Sequence, residues 1–281
     1  MDVVDMKLQE PLVSVVIPNF NGSAYLPACL ESVRRQTYRN IEMIVVDDQS
    51  TDDSIAVIGA IALQDQRVQL LVNSSRLGAG GARNAGILAS RGAYLTTLDS
   101  DDLYLDAEKI ASELKLVRSS ASPMVAYSGI GQFLQPEGPI HDVMAAGQPL
   151  EGDVFLRLLV RSGPIPRDFM LSRALLDRVG HYDPAIPIYE DWDLKLRIAR
   201  HARFAYTGRV GVGYRQHATG LSSAAPSVHR RWMRHVFSKN AAGLPERKRL
   251  YRQLVRNSPI LGRGFIRYLD SVFPGLDFTK N

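Results

Sequence analysis

The sequence predicts an α/β fold, a mostly parallel sheet flanked by helices with a helical extension at its C-terminus. Short continuous apolar runs alternate with segments of helical spacing through the first hundred or so residues. Each apolar run ends in a polar, acidic or glycine-rich cluster, as strands of a buried parallel sheet do. Beyond Pro226 the chain turns strongly basic at roughly helical spacing.

In chain order, Leu12 to Ile17 is an apolar strand stopped by Pro18, and Asn19-Phe20-Asn21-Gly22 reads as the loop after it. Tyr25 to Gln36 has helical spacing, with Leu26, Cys29, Leu30 and Val33 on one face. Ile41 to Val46 is a second strand. It ends in Asp47 to Asp53, whose Ser, Thr and Asp residues suit the cap of a helix running to about Leu63. Val68 to Val72 is a third strand, followed by a glycine-rich loop, Asn73 to Gly86, that runs into a helix ending near Arg91-Gly92. Tyr94 to Leu98 is the fourth strand. Strands joined through helices imply right-handed β-α-β units. In the second half Val125 to Phe133 reads as a strand, Gln135 to Pro139 as a turn, Asp153 to Arg161 as a short helix, and the run from Arg209 as a strand.

Composition bounds the class. With 281 residues, 45% of them hydrophobic, the chain can bury one large core with an appendage. The single cysteine, Cys29, excludes an internal disulfide and fits a small buried hydrophobe. The polar start is no signal peptide and no window is long enough to span a membrane, so a cytoplasmic protein is expected. The net charge of +5 hides an asymmetry: from Pro226 onward twelve Lys or Arg face three acidic residues, which leaves the preceding 225 residues net negative. The expected organisation is a polar tail over 1–10, a main domain over 11–225 with halves meeting near 103, and a basic extension over 226–281.

The polar clusters after the four strands converge on one rim, where such sheets bind ligands. The fourth strand delivers Asp99, Asp101 and Asp102 together, and three carboxylates in one place call for a compensating cation or N–H groups. A divalent metal carrying a phosphate would compensate them; the alternative is that Asp102 caps the next helix, near Asp106, while the others are solvated. The stretch from Gly78 to Arg83 imitates a dinucleotide fingerprint, yet Arg83 occupies the third glycine position and the strand before it is the third. Backbone N–H groups at a helix start, with Arg76 and Arg83, suit a diphosphate instead.

Five ordered pieces, Val15 to Asn21, Ile44 to Asp52, Gly81 to Gly86, Gly92 to Asp102 and Tyr189 to Leu194, together resemble the inverting glycosyltransferases of family 2, whose Rossmann-like fold is called GT-A. The resemblance covers residues 12 to about 220. It implies that Asp99-Ser100-Asp101 is the Asp-x-Asp motif, Asp101 the main ligand of a Mg or Mn ion and Asp99 nearer the ribose or a metal-bound water. It further implies Pro18 and Asn19 against the base, Asp48 on the base's polar edge, Arg83 in the donor site, and Asp191 as general base. His217 falls where some members place a further metal ligand, and Arg215 and Ser222 where a diphosphate could be closed over. Glu190, Trp192 and the segment Ile165 to Met170 fall on the acceptor side. Glu190 and Asp191 also suit a helix's first turn through its dipole, and Trp192 suits packing as well as sugar stacking.

The activity so implied is metal-dependent inverting transfer from a nucleoside diphosphate sugar, expected to be a UDP-sugar, to a glycan or lipid-linked acceptor of surface polysaccharide or glycolipid. The other classes weighed are a nucleotidyltransferase, which would want a basic glycine-rich loop after the first strand, a haloacid-type phosphatase, which would want an Asp where Pro18-Asn19 stands, and a catalytically silent sugar-nucleotide binder. Three readings suit the basic tail: a helical cap packed on the core, an amphipathic surface held at the inner face of an anionic membrane, and nucleic-acid binding. No recognised binding module supports the last. Gln49, where a glycine is common, and Phe20, where a tyrosine is common, depart from the family's pattern.

Overall fold

The computed structural model of this chain describes residues 10–134, 142–143, 149–216 and 225–257. Its first half is the expected α/β arrangement. Strands β1 (Val13–Asn19), β2 (Ile41–Asp47), β3 (Val68–Val72) and β4 (Tyr94–Thr97) lie parallel in the order β3-β2-β1-β4. Every residue of β1 and β2 is buried, because these central strands are covered on both faces. Between them run helices α1 (Leu26–Arg34), α2 (Ser54–Ala62) and α3 (Gly78–Ala89).

The glycine-rich stretch expected to be a loop is largely helix, since α3 begins at Gly78. Two causes act together. The Asp48 carboxylate accepts the N–H groups of Leu77 and Gly78, each at 2.8 Å, satisfying the helix start. The glycines also permit close packing: a Cβ on Gly86 would lie 2.4 Å from Val16 Cγ1 of the sheet, and one on Gly80 3.3 Å from Glu190 Cγ.

The second half adds β5 (Leu103–Tyr104), α4 (Lys109–Arg118), β6 (Met124–Phe133), β7 (Asp142–Val143), α5 (Phe155–Leu159), β8 (Leu171–Ser172), α6 (Arg173–Val179), α7 (Glu190–Ile198) and β9 (Arg203–Arg215). β8 joins the first sheet antiparallel beside β4, and β5-β9-β6-β7 form a second sheet. Here two expectations shift. The helix expected near Asp106 starts at Lys109, because Leu103–Tyr104 is first held as a strand against β9. Asp102 accordingly caps no helix. The run expected from Arg209 starts at Arg203, paired along β6.

Helices α8 (Pro226–Asn240) and α9 (Arg247–Asn257) complete the described chain. Their apolar faces, Met233, Val236 and Phe237 on α8 and Leu250, Leu254 and Val255 on α9, join the same buried cluster as Leu158, Trp192 and Phe204. The apolar stripe is thus spent on the core, and solvent meets the basic stripe, including Arg231, Arg234, Arg249, Arg252 and Arg256. The turn expected over Gln135 to Pro139 and the basic residues beyond Asn257 lie outside the described residues.

Candidate active site

Carboxylate oxygens of Asp99, Asp101 and Asp102, just beyond β4, lie within 4.8 Å of one another. Two buried or half-buried arginines hold this cluster. Arg83, on α3 and 2% exposed, donates from Nη2 to Asp99 Oδ1 at 2.7 Å and from Nη1 to Glu190 Oε1 at 2.8 Å. Arg167 places Nε 3.0 Å from Asp99 Oδ2 and donates from Nη2 to Asp102 Oδ2 at 2.7 Å. Asp102 also accepts the Arg215 backbone N–H at 2.9 Å, while Arg215 Nε donates to the Asp101 carbonyl at 3.1 Å.

The electrostatics follow from these neighbours. Burial pushes Asp99 up, but Arg167 and Arg83 outweigh it and hold its carboxyl below the usual range. Burial pushes Asp102 well up, opposed by Arg167 and reinforced by Asp101 and Asp99. Three hard oxygen donors gathered at a half-open position fit a Mg or Mn ion, which shares its ligands with substrate phosphates.

The nucleotide-side residues gather at the ends of β1 and β2. Asn19, preceded by Pro18, donates from Nδ2 to Asp47 Oδ2 at 3.0 Å and to Ser50 Oγ at 3.2 Å, and its buried Oδ1 has no protein partner. Asp48 is 3% exposed and already accepts three protein donors, the third being Asn73 Nδ2 at 2.8 Å. The Arg76 guanidinium lies 3.6 Å over the Phe20 ring. Ser100 is buried, its Oγ 2.9 Å from where a Cβ on Gly22 would stand. Gln49 sits at φ +67°, a left-handed conformation that explains why glycine suits this position. Gln49→Gly relieves this strain but removes the hydrogen bond from Gln49 Nε2 to the Asn73 carbonyl and loosens the unfolded chain, so stability should change by less than about 1 kcal/mol; chemical denaturation would show this as a nearly unchanged midpoint and slope.

Asp191 stands in the first turn of α7. Its Oδ2 accepts Lys195 Nζ at 2.8 Å, and the same Nζ donates to the Ile165 carbonyl at 2.8 Å. Burial alone would raise Asp191, yet Lys195, Arg167 and Arg83 hold it far below the ordinary carboxylate range. It faces a cavity of about 450 Å³ whose walls include Arg161, Arg167, Tyr189, Trp192, Lys195 and Tyr214. The Trp192 indole is 4% exposed, with Nε1 donating to the Leu158 carbonyl at 2.8 Å, so it forms a fixed wall of that cavity. Glu190 is turned instead toward Arg83. His217 and Ser222 lie outside the described residues.

The structure thus unites Asp99, Asp101, Asp102, Arg83 and Glu190, and sets Asp191 on the neighbouring cavity. Arg167 and Lys195, which fix Asp99, Asp102 and Asp191, escaped sequence reasoning. Lys195 carried a usable signal, its i,i+4 spacing from Asp191; Arg167 carried none beyond its place in the segment expected to line the acceptor side.

Comparison with known proteins points one way. The family model described as Glycosyl transferase family 2 matches residues 14–132. The UDP-Glc:alpha-D-GlcNAc-diphosphoundecaprenol beta-1,3-glucosyltransferase WfaP of Escherichia coli is 30% identical over 215 residues, covering 75% of this chain and 80% of the relative. Glycosyltransferase GlyG of Streptococcus pneumoniae serotype 4 is 47% identical over 92 residues; that match spans 33% of this chain and 31% of GlyG. Among solved structures, S. aureus TarS 1–349 in complex with UDP-GlcNAc superposes with a TM-score of 0.67 at 17% identity, covering 87% of this chain and 71% of that one.

Proposed function

We propose, from the premise that this chain belongs to glycosyltransferase family 2, that it transfers a sugar with inversion from a UDP-sugar to a lipid-linked acceptor in a metal-dependent reaction. The observation that carries this reading is the juxtaposition of two sites: a cluster of three aspartates held by Arg83 and Arg167, and a cavity beside Asp191. Arg167 belongs to both. The donor class is supported by the UDP-Glc named for WfaP and the UDP-GlcNAc bound to TarS, and the acceptor class by the diphosphoundecaprenol in the WfaP name.

Asp101 and Asp99 would hold the Mg or Mn ion, which when bound neutralises the diphosphate as it leaves. The protein's own residues do the rest. Arg83 and Arg167 each hold one oxygen of the Asp99 carboxylate and so limit the freedom of the loop that carries it. Glu190 locks Arg83 in turn. Asp191, kept deprotonated by Lys195, accepts the proton of the acceptor hydroxyl as that oxygen attacks the anomeric carbon.

No helix among the described residues is long and apolar enough to cross a membrane. The exposed arginines of α8 and α9 would bring the enzyme to an anionic membrane as a peripheral partner, at the cytoplasmic face. Their attraction is electrostatic and should weaken with salt.

The reading is tested by incubating the protein with UDP-glucose, Mn and an alkyl diphospho-N-acetylglucosamine, then determining the new linkage by NMR. A β-linked disaccharide formed with Mn and absent with EDTA is expected. An α-linked product, or equal yield in EDTA, would contradict the inverting metal-dependent assignment.

A further inference from the structure

Three cationic side chains line the cavity beside Asp191, and two are neutralised within the protein: Arg167 by Asp99 and Asp102, Lys195 by Asp191. Arg161 is the third. Among the described residues it pairs with no carboxylate; its guanidinium lies instead 5.1 Å from the Tyr189 ring centroid and 5.5 Å from that of Trp192. An arginine stacked on aromatic faces keeps its N–H edge free, and that edge matches the geometry of a phosphate.

Its backbone conformation belongs to the end of α5: the Ser162 N–H donates to the Arg157 carbonyl at 2.9 Å and the Arg161 N–H to the Leu158 carbonyl at 3.0 Å, a Schellman closure that seats Arg161 in the left-handed region. Arg161 has φ +52°, in the left-handed region where a side chain is disfavoured and glycine is at ease. The surroundings reinforce its charge: Asn257, the last residue of α9, also lines the cavity, and α9 exposes Arg249, Arg252 and Arg256.

We infer that Arg161 recognises a phosphate joined to the acceptor sugar, so that the cavity takes a glycosyl phosphate or diphosphate with its sugar toward Asp191. The inference rests on the transferase reading and names the residue that recognises the acceptor's phosphate. A lipid carrier and a soluble sugar phosphate share this chemistry.

The test is calorimetric titration of the protein with UDP and Mn present, using three probes: an alkyl diphospho-N-acetylglucosamine, N-acetylglucosamine 1-phosphate, and an alkyl N-acetylglucosaminide without phosphate. Arg161→Gln and Arg161→Gly should each weaken both phosphate-bearing probes by about tenfold to a hundredfold, leaving the phosphate-free probe and UDP unchanged. Arg161→Gly, in which glycine suits the left-handed helix-end position, should keep the wild-type far-UV circular dichroism, separating lost recognition from lost folding. Against a non-alkylated diphospho-N-acetylglucosamine as control, tighter binding of the alkyl diphosphate identifies a lipid carrier, and equal binding a soluble phosphate. Equal weakening of all three probes, or a wild type indifferent to phosphate while it still binds UDP, would overturn this inference alone. Failure of the wild type to bind UDP would overturn the transferase reading with it.

Discussion

Asp191→Asn should lower kcat by about a hundredfold to ten-thousandfold while leaving UDP affinity intact. The substitution preserves shape and removes the group that takes the acceptor proton, so the loss appears in turnover. Because Lys195, Arg167 and Arg83 hold the carboxyl well below its usual range, the wild-type base stays deprotonated throughout neutral and mildly acidic conditions. Its rate should show no acid limb from this group between about pH 5 and 8. Steady-state kinetics with a saturating UDP-sugar, paired with UDP titrations, separate the two effects. A variant that turns over at the wild-type rate would remove Asp191 from the chemistry, and one that also loses UDP would indicate a damaged fold.

The largest stability effect is expected at Lys109, which is fully buried with Glu113 as its partner. Its Nζ donates to Glu113 Oε2 at 2.9 Å, to the Asp168 carbonyl at 2.8 Å and to Thr96 Oγ1 at 3.2 Å, while Ser128 Oγ donates to Glu113 Oε1 at 2.8 Å. Lys109→Met strands the Glu113 carboxylate and should cost about 3–5 kcal/mol, seen as a melting temperature lower by about 10 °C. Burial already raises the Glu113 pKa against the pull of Lys109. Without the lysine the folded state should hold that proton more tightly than the unfolded chain, so the deficit shrinks as pH falls. Lys109→Met with Glu113→Leu should recover about half of the loss, because the stranded charge disappears while the Asp168 carbonyl loses its lysine donor and Ser128 Oγ its acceptor. A single variant within about 1 kcal/mol of wild type would show that water reaches this pair.

The strands were legible because β1 and β2 are covered on both faces and so must read as unbroken apolar runs. The aspartate cluster was legible because its carboxylates adjoin in sequence. Other features depend on partners remote in the chain. Arg83 reads as a free donor-site cation, yet its partners Asp99 and Glu190 lie 16 and 107 residues away. Lys109 and Glu113 have the spacing of an exposed helical pair, and their burial is made tolerable by partners the spacing does not show: the Asp168 carbonyl and Thr96 Oγ1 for Lys109, and Ser128 Oγ for Glu113. The start of α3 at Gly78 was hidden for a similar reason, since the cap comes from Asp48 in the loop after β2. Up to Asn257 the basic tail divided cleanly: helical spacing showed its two faces, and only the packing of Met233, Phe237 and Leu254 into the core shows which face solvent meets.

Calorimetric titration of UDP in Mn and in EDTA, on the wild type and on Asp101→Ala, is the most direct test of the donor site, with GDP, dTDP and CDP as competitors. The account predicts that UDP binds the wild type in Mn, that EDTA weakens it strongly, and that Asp101→Ala binds no better in Mn than in EDTA. Binding that is indifferent to metal in both proteins, or selective for another nucleotide, would contradict it.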